Sequence, residues 1–233
     1  AYKGLSFGIA LNPAHFVGKN NDYELNLNAY GNRFGGDVIF HSAKRFRGTL
    51  TKGGTKYEVP GELINQNLLD IDAYYAFNFR RFSYPAAFSQ SFIQRRSSGS
   101  WMLELSFIGG NYRIKADEDL GTPLSKITMG HVGVGGGYGY NLVTAHRWLF
   151  HLSGLPSLVV YSGYRLLQDG NRVHVSYHFP EMIFVGRAAV IHEVSHYFFG
   201  VTAVLNTCYI GDDNKLEILN NKWRCRAVFG VRL

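Results

Sequence analysis

The sequence predicts an all-β protein: an antiparallel, up-and-down transmembrane β-barrel with about ten strands, built as a single domain over residues 1–233. Three observations carry this. Apolar residues alternate with small or polar ones at a period of two, in segments of roughly ten residues, which is how strands with one face to lipid and the other to a lumen are written. Long polar connections alternate along the chain with short ones. No apolar run approaches the roughly 20 residues that a membrane-spanning helix needs, so any bilayer crossing falls to strands.

The first strand runs from about Lys3 to Leu11, with Leu5, Phe7, Ile9 and Leu11 on one face and Gly4, Ser6, Gly8 and Ala10 on the other, and Asn12-Pro13 closes it. In the second, Tyr23, Leu25, Leu27 and Ala29 alternate with Glu24, Asn26, Asn28 and Tyr30. Gly31-Asn32 tolerate positive φ, so a tight hairpin leads into a third strand ending near His41. Residues 42–65 read as a long polar loop, because Lys52-Gly53-Gly54-Thr55 and Pro60-Gly61 are turn formers and poor strand formers. The fourth strand is the clearest: Leu69, Ile71, Ala73, Tyr75, Phe77 and Phe79 face one way, and Asp70, Asp72, Tyr74, Asn78 and Arg80 the other. Within 81–100, a serine followed closely by Pro85 predicts a short helix from Ser83.

A fifth strand, Trp101 to Ile114, enters the acidic loop 116–121. The sixth, Ile127 to Tyr140, is glycine-rich, and the seventh, Trp148 to Leu167, carries a predicted kink at Gly154-Leu155-Pro156. Arg172 to His178 reads as a small hairpin outside the membrane. Strands at Met182–Ile191, Tyr197–Tyr209 and Lys222–Leu233 complete the set. With the C-terminus on the periplasmic side, the connections near 12–22, 42–65, 115–126, 168–180 and 210–221 fall outside and are long. Those near 31–33, 141–147 and 192–195 fall inside and are short, the stretch after Arg80 being the exception. Lipid-facing backbone must be fully paired, so the last strand is expected to close on the first, or on strands upstream.

Composition agrees. Aromatics make up 15% and charged residues 18% of the chain, against about a quarter charged in soluble domains. Tyr23, Tyr75, Trp101, Trp148, Tyr209 and Trp223 lie near strand ends, where aromatic girdles sit. No signal peptide is visible although an outer-membrane protein must be exported, so the full product is expected to begin upstream of Ala1. The net charge is +7, yet the densest basic cluster, Arg80, Arg81, Arg95 and Arg96, lacks a base-stacking pattern of its own. Anionic lipid head groups are the expected counter-charge, and no nucleic acid is. Only Cys208 and Cys225 are present, on opposite faces of their strands, which opposes a disulfide.

Several motifs invite chemistry. His192-Glu193-Val194-Ser195-His196 matches the zinc-protease pattern in letters, but that chemistry needs a helix, and the flanks read as two strands joined by a turn. Gly133-Val134-Gly135-Gly136-Gly137-Tyr138-Gly139 resembles a nucleotide loop, but tyrosine stands where the fingerprint needs glycine, and a strand continues; inward glycines that make room for lumen side chains fit better. Asp70, Asp72, Glu104, Arg113, Arg165, Arg187, Arg224 and Arg226 are expected on inward faces. There they form either a salt-bridge network that closes the lumen or a selectivity lining for a small solute. A lipid-acting serine hydrolase would instead use His151 with Ser153, or His174 with Ser176, facing outward near the outer leaflet. No catalytic residue, metal or cofactor is assigned.

Tyr2-Lys3-Gly4-Leu5-Ser6, Tyr30-Gly31-Asn32-Arg33-Phe34-Gly35, the run from Arg81 through Tyr84-Pro85-Ala86-Ala87-Phe88 to Gln90, and Trp148-Leu149-Phe150-His151-Leu152-Ser153 together carry a likeness. Over most of its length the chain resembles an uncharacterised Bacteroidetes outer-membrane β-barrel family (domain of unknown function 4421). The resemblance implies an exported barrel with about two further strands upstream, about twelve in the intact protein, and it transfers no catalytic residue. The expectation is an outer-membrane protein of unknown activity, most simply non-enzymatic. Its expected partners are outer-membrane lipid and lipopolysaccharide, with a place in a larger outer-membrane complex as a further option.

Overall fold

The computed structural model describes residues 5–11, 23–43, 48–52, 55–59, 63–115, 125–168, 171–173, 180–194, 196–212 and 216–231. In chain order the elements are β1 (Leu5–Leu11), β2 (Tyr23–Tyr30), β3 (Phe34–Ala43), β4 (Gly48–Lys52), β5 (Thr55–Val59), β6 (Ile64–Ala76) and α1 (Tyr84–Phe88). There follow β7 (Ser98–Ile114), β8 (Ser125–Val143), β9 (Trp148–Gln168), β10 (Asn171–Val173), β11 (Met182–Val194), β12 (Tyr197–Asp212) and β13 (Leu216–Val231). Ten of the strands form one antiparallel meander in the order β1-β2-β3-β6-β7-β8-β9-β11-β12-β13; β10 folds back on β9, and β4 and β5 make a separate hairpin. The sheet is a curled half-barrel, and among the described residues no ladder joins β1 to β13.

The alternation is inverted relative to a water-soluble protein. On β2, Asn26 and Asn28 are each 1% exposed while Leu27 is 44% exposed. On β7, Ser100, Glu104 and Ser106 are buried between Trp101, Leu103 and Leu105, all exposed. Curling brings polar faces inward until opposite walls touch: Asp37 on β3 meets Arg187 on β11, five ladders away along the sheet.

Some boundaries differ from expectation. The fourth predicted strand ends at Ala76 rather than near Arg80, because Asn78 takes over the bonding. Its carbonyl accepts from the Arg81 and Phe82 amides, its side chain donates to the Gly99 carbonyl at 2.8 Å, and the turn throws Phe82 inward. At its other end β6 reaches back to Ile64, into the predicted polar loop, because Gln66 and Asn67 bond His41 and Ser42 on β3. That loop also holds the β4–β5 hairpin, in which Lys52 pairs Thr55; Gly53-Gly54 and Pro60-Gly61 lie outside the described residues. The Gly31-Asn32 turn is tight as expected, but positive φ occurs elsewhere, at Gln90 and Arg147. Glycine is needed at 31 because a Cβ would lie 2.6 Å from the Phe34 carbonyl oxygen.

A bulge on β9 positions the rest. Gly133 pairs Val159 whereas Val132 pairs Tyr161, so Val160 is the extra residue and the inward parity of β9 flips beyond it. Before the bulge the odd-numbered Leu155, Ser157 and Val159 are buried; after it, Arg165 is exposed. At 21 residues β9 is twice as long as the 9–11 that cross a bilayer.

Candidate functional site

The strongest concentration of buried polar chemistry lies in the interior, around α1. The helix forms where predicted: the Ser83 hydroxyl accepts from the Ala86 amide at 3.2 Å as N-cap, and Pro85 sits in the first turn, where its missing N–H costs nothing. The same hydroxyl donates to Asn32, while Asn141 donates to the Ser83 carbonyl and to Gln94. Tyr84 is completely buried, its ring 4.5 Å from that of Tyr74 and 5.1 Å from His151. Burial pushes the Tyr84 phenol pKa upward. The connection 77–97 thus folds inward and stoppers that end of the half-barrel.

Arg187 on β11 holds the stopper. It donates to Asp37 at 2.5 Å and to the Tyr84 hydroxyl at 3.0 Å, and Tyr30 donates to the other Asp37 oxygen. The guanidinium thus bonds β11 to β3 and α1, and Tyr30 ties β2 to the same aspartate. A second cluster joins β13 to β2 and β6: Arg224 donates to Glu24 at 2.8 Å and to Asn26, and Lys222 lies 3.0 Å from Glu24 and 3.7 Å from Asp70. A third lies toward the long-loop end, where Tyr164 donates to Glu181 at 2.6 Å and His131 stands 3.7 Å from the same carboxylate.

Of the eight predicted lumen charges, Asp70, Asp72, Glu104 and Arg187 are buried and Arg224 and Arg226 half-buried. Glu104 accepts from Ser157 at 3.1 Å, and Asp72 is met by Asn206 at 3.5 Å. Arg113 and Arg165 are corrections, since both are exposed. Arg113 shares its parity with outward Trp101 and Leu105, and Arg165 lies past the bulge that reverses β9. Glu24, Asp37, Lys222 and Glu181 complete the clusters without having been singled out. Glu24 stood on the polar face read for β2, whereas Glu181 precedes β11 and has no periodicity to mark it.

His151 and Ser153 share one face, but it is the inner one, at 3% and 4% exposure, a correction to the outward position that a lipid hydrolase requires. Ser153 Oγ lies 2.9 Å from His151 Nε2, and His151 Nδ1 lies 2.6 Å from Asn141 Oδ1. This has the bonding order of a catalytic triad. However, the Tyr84 hydroxyl sits 3.2 Å from Ser153 Oγ, and the rings of Tyr84 and Phe88 cover the imidazole. The row tethers the stopper. His174 and Ser176 lie outside the described residues.

The zinc-like letters span a strand end and a turn: β11 stops at Val194, β12 begins at Tyr197, and His192 stacks on Trp148 at 4.3 Å. Among the described residues no group of three His, Cys, Asp or Glu side chains is disposed to hold a metal. The glycine run continues as β8, and a Cβ on Gly139 would come within 2.9 Å of Met102 and 3.2 Å of Phe82, so the glycine makes room for these buried side chains. Cys208 is buried, Cys225 exposed, and both are free thiols.

In comparison with known proteins, the family model described as Domain of unknown function (DUF4421) matches residues 1–233. No curated protein and no solved structure matches.

Proposed function

The chain belongs to the DUF4421 family, and from that premise we propose that it is an integral outer-membrane β-barrel protein, a non-enzymatic component whose lumen its own side chains fill and whose outer loops contact lipopolysaccharide, partner proteins or ligands. The observation that carries the reading is the inverted burial. Arg187, Asp37 and Glu104 are buried while Leu105, Leu152 and Val160 are at least half exposed. Water would strip such a wall of its advantage, since each outward leucine or valine gains only when an apolar medium covers it. The interior supports a non-conducting role, because the stopper and three charge clusters occupy it. Closure of the sheet, by β1 against β13 or by strands upstream, belongs to the proposal, since lipid tolerates no open edge.

The test is reconstitution. The protein should float with phosphatidylcholine vesicles after high-salt washing, migrate faster on a denaturing gel before boiling than after, and give no conductance in planar bilayers. Dispersal in plain buffer with unchanged migration would overturn membrane integration; steady conductance would replace the filled lumen with a pore.

A hydrolase reading has the Ser153–His151–Asn141 row in its favour. Labelling of the folded protein by a fluorophosphonate, lost in Ser153→Ala, would establish it. No labelling is expected, because Tyr84 covers the serine.

A further inference from the structure

The end of the barrel that carries the stopper also carries an unbalanced charge. Its connections, residues 31–33, 77–97, 144–147 and 195–196, contain six arginines and no aspartate or glutamate. These are Arg33, Arg80, Arg81, Arg95, Arg96 and Arg147, all exposed. None is in an ion pair with a described carboxylate. Arg80, Arg81, Arg95 and Arg96 line one hollow, together with Asn32, Ser97 and Ser98. Of the described carboxylates, Asp37, Glu24 and Asp70 face Arg187, Arg224 and Lys222, and Glu193, whose amide donates to the Arg147 carbonyl, stands beside Arg147 and does not line the hollow.

Apolar anchors stand at the same level. Phe77, Phe92 and Ile93 are 54%, 45% and 50% exposed, in the same connection as the arginines. Arg33 lies over the rings of Phe34, Tyr75 and Phe79 at 5.2, 5.4 and 5.1 Å, its charge held at the boundary of the aromatic zone. A solvated basic face has no need of exposed phenylalanines beside it. A surface that meets acyl chains and phosphates within a few ångströms needs both, rings and stems in the apolar layer and guanidinium groups at the head groups.

We infer that this rim is a binding site for anionic phospholipid head groups of the leaflet at the short-turn end, with the guanidinium groups of Arg80, Arg81, Arg95 and Arg96 as its phosphate ligands. Planar guanidinium groups pair phosphate oxygens two at a time, which suits arginine, and the absence of lysine from these connections, better than a diffuse positive field would. The inference rests on the membrane reading above. It adds a partner class at the end opposite the long loops, where bound lipid would brace the stopper through the Ser83–Gln94–Arg96 connection.

The test compares reconstituted protein in phosphatidylcholine vesicles with and without phosphatidylglycerol, reading the temperature at which the fast-migrating gel band is lost. Phosphatidylglycerol should raise that midpoint by several degrees for the wild type, and high salt should diminish the rise. A fourfold Arg80, Arg81, Arg95 and Arg96→Gln variant should insert normally and lose the rise, the fourfold Lys variant should keep part of it, and an Arg113→Gln, Arg165→Gln control should keep all of it. An equal rise in the Gln variant would overturn the inference. So would an equal rise on adding inorganic phosphate to phosphatidylcholine vesicles, which would make the rim a general anion site. Failure to float with either vesicle would instead remove the membrane reading itself.

Discussion

Arg187 is 2% exposed and bridges Asp37 and Tyr84 with bonds of 2.5 and 3.0 Å. A charge so enclosed stabilises little relative to an apolar filling, but removing one partner leaves the other stranded. Arg187→Met should therefore destabilise the folded protein by about 3–5 kcal/mol. Adding Asp37→Asn should recover part of the loss, read as urea midpoints of the gel-shift transition; no recovery would show that Arg187 acts by packing alone. The glycines of β8 make a second comparison. A Cβ on Gly137 would strike the Gly154 carbonyl oxygen, which is backbone, whereas on Gly139 it would meet the movable end of Met102. Overpacking costs about 1–3 kcal/mol, so Gly137→Ala should fall at or above the upper end of that range and Gly139→Ala near the lower, measured in the same titration.

Among the elements, all ten long strands, the short helix and the position of the stopper's connection were legible in the sequence. Period-2 writing and a serine-proline start are local signals that the fold does not override. Arg165 was not legible, since a bulge at Val160 leaves the residue pattern of β9 unbroken while reversing which face it presents. Nor was the inward fold of residues 81–97, whose direction is decided by Asn78 and Asn141, side chains bonding backbone far away in sequence. The interior charges were half legible. Parity found Asp70, Asp72, Glu104 and Arg187, but Asp37, the partner of Arg187, and Glu181, the partner of Tyr164 and His131, lie where glycines or a strand end dilute the alternation. The stopper's role is testable at this scale. Replacing residues 82–93 by a short Gly-Ser linker should let the reconstituted protein conduct in planar bilayers where the wild type is silent. Continued silence would assign the block to the wall side chains alone.

For the molecule as a whole the question is which solvent lies outside the sheet. Leu105 on β7 is 53% exposed and stands in an outward row with Trp101, Leu103 and Phe107. If water were outside, Leu105→Arg would be an ordinary surface substitution, within about 0.5 kcal/mol of neutral. If lipid is outside, arginine near the middle of the apolar band costs about 2–4 kcal/mol, and the cost shrinks toward the girdles. Trp101→Arg, at an exposed position near the end of β7, should then be milder than Leu105→Arg, which a soluble protein has no reason to show. Arg113 already stands on the outer face of β7, eight residues beyond Leu105 toward the long loops. A graded loss along β7, measured as urea midpoints of vesicle-inserted protein, ties the inverted burial to a bilayer; a flat profile would mean that the exposed leucines face something other than lipid.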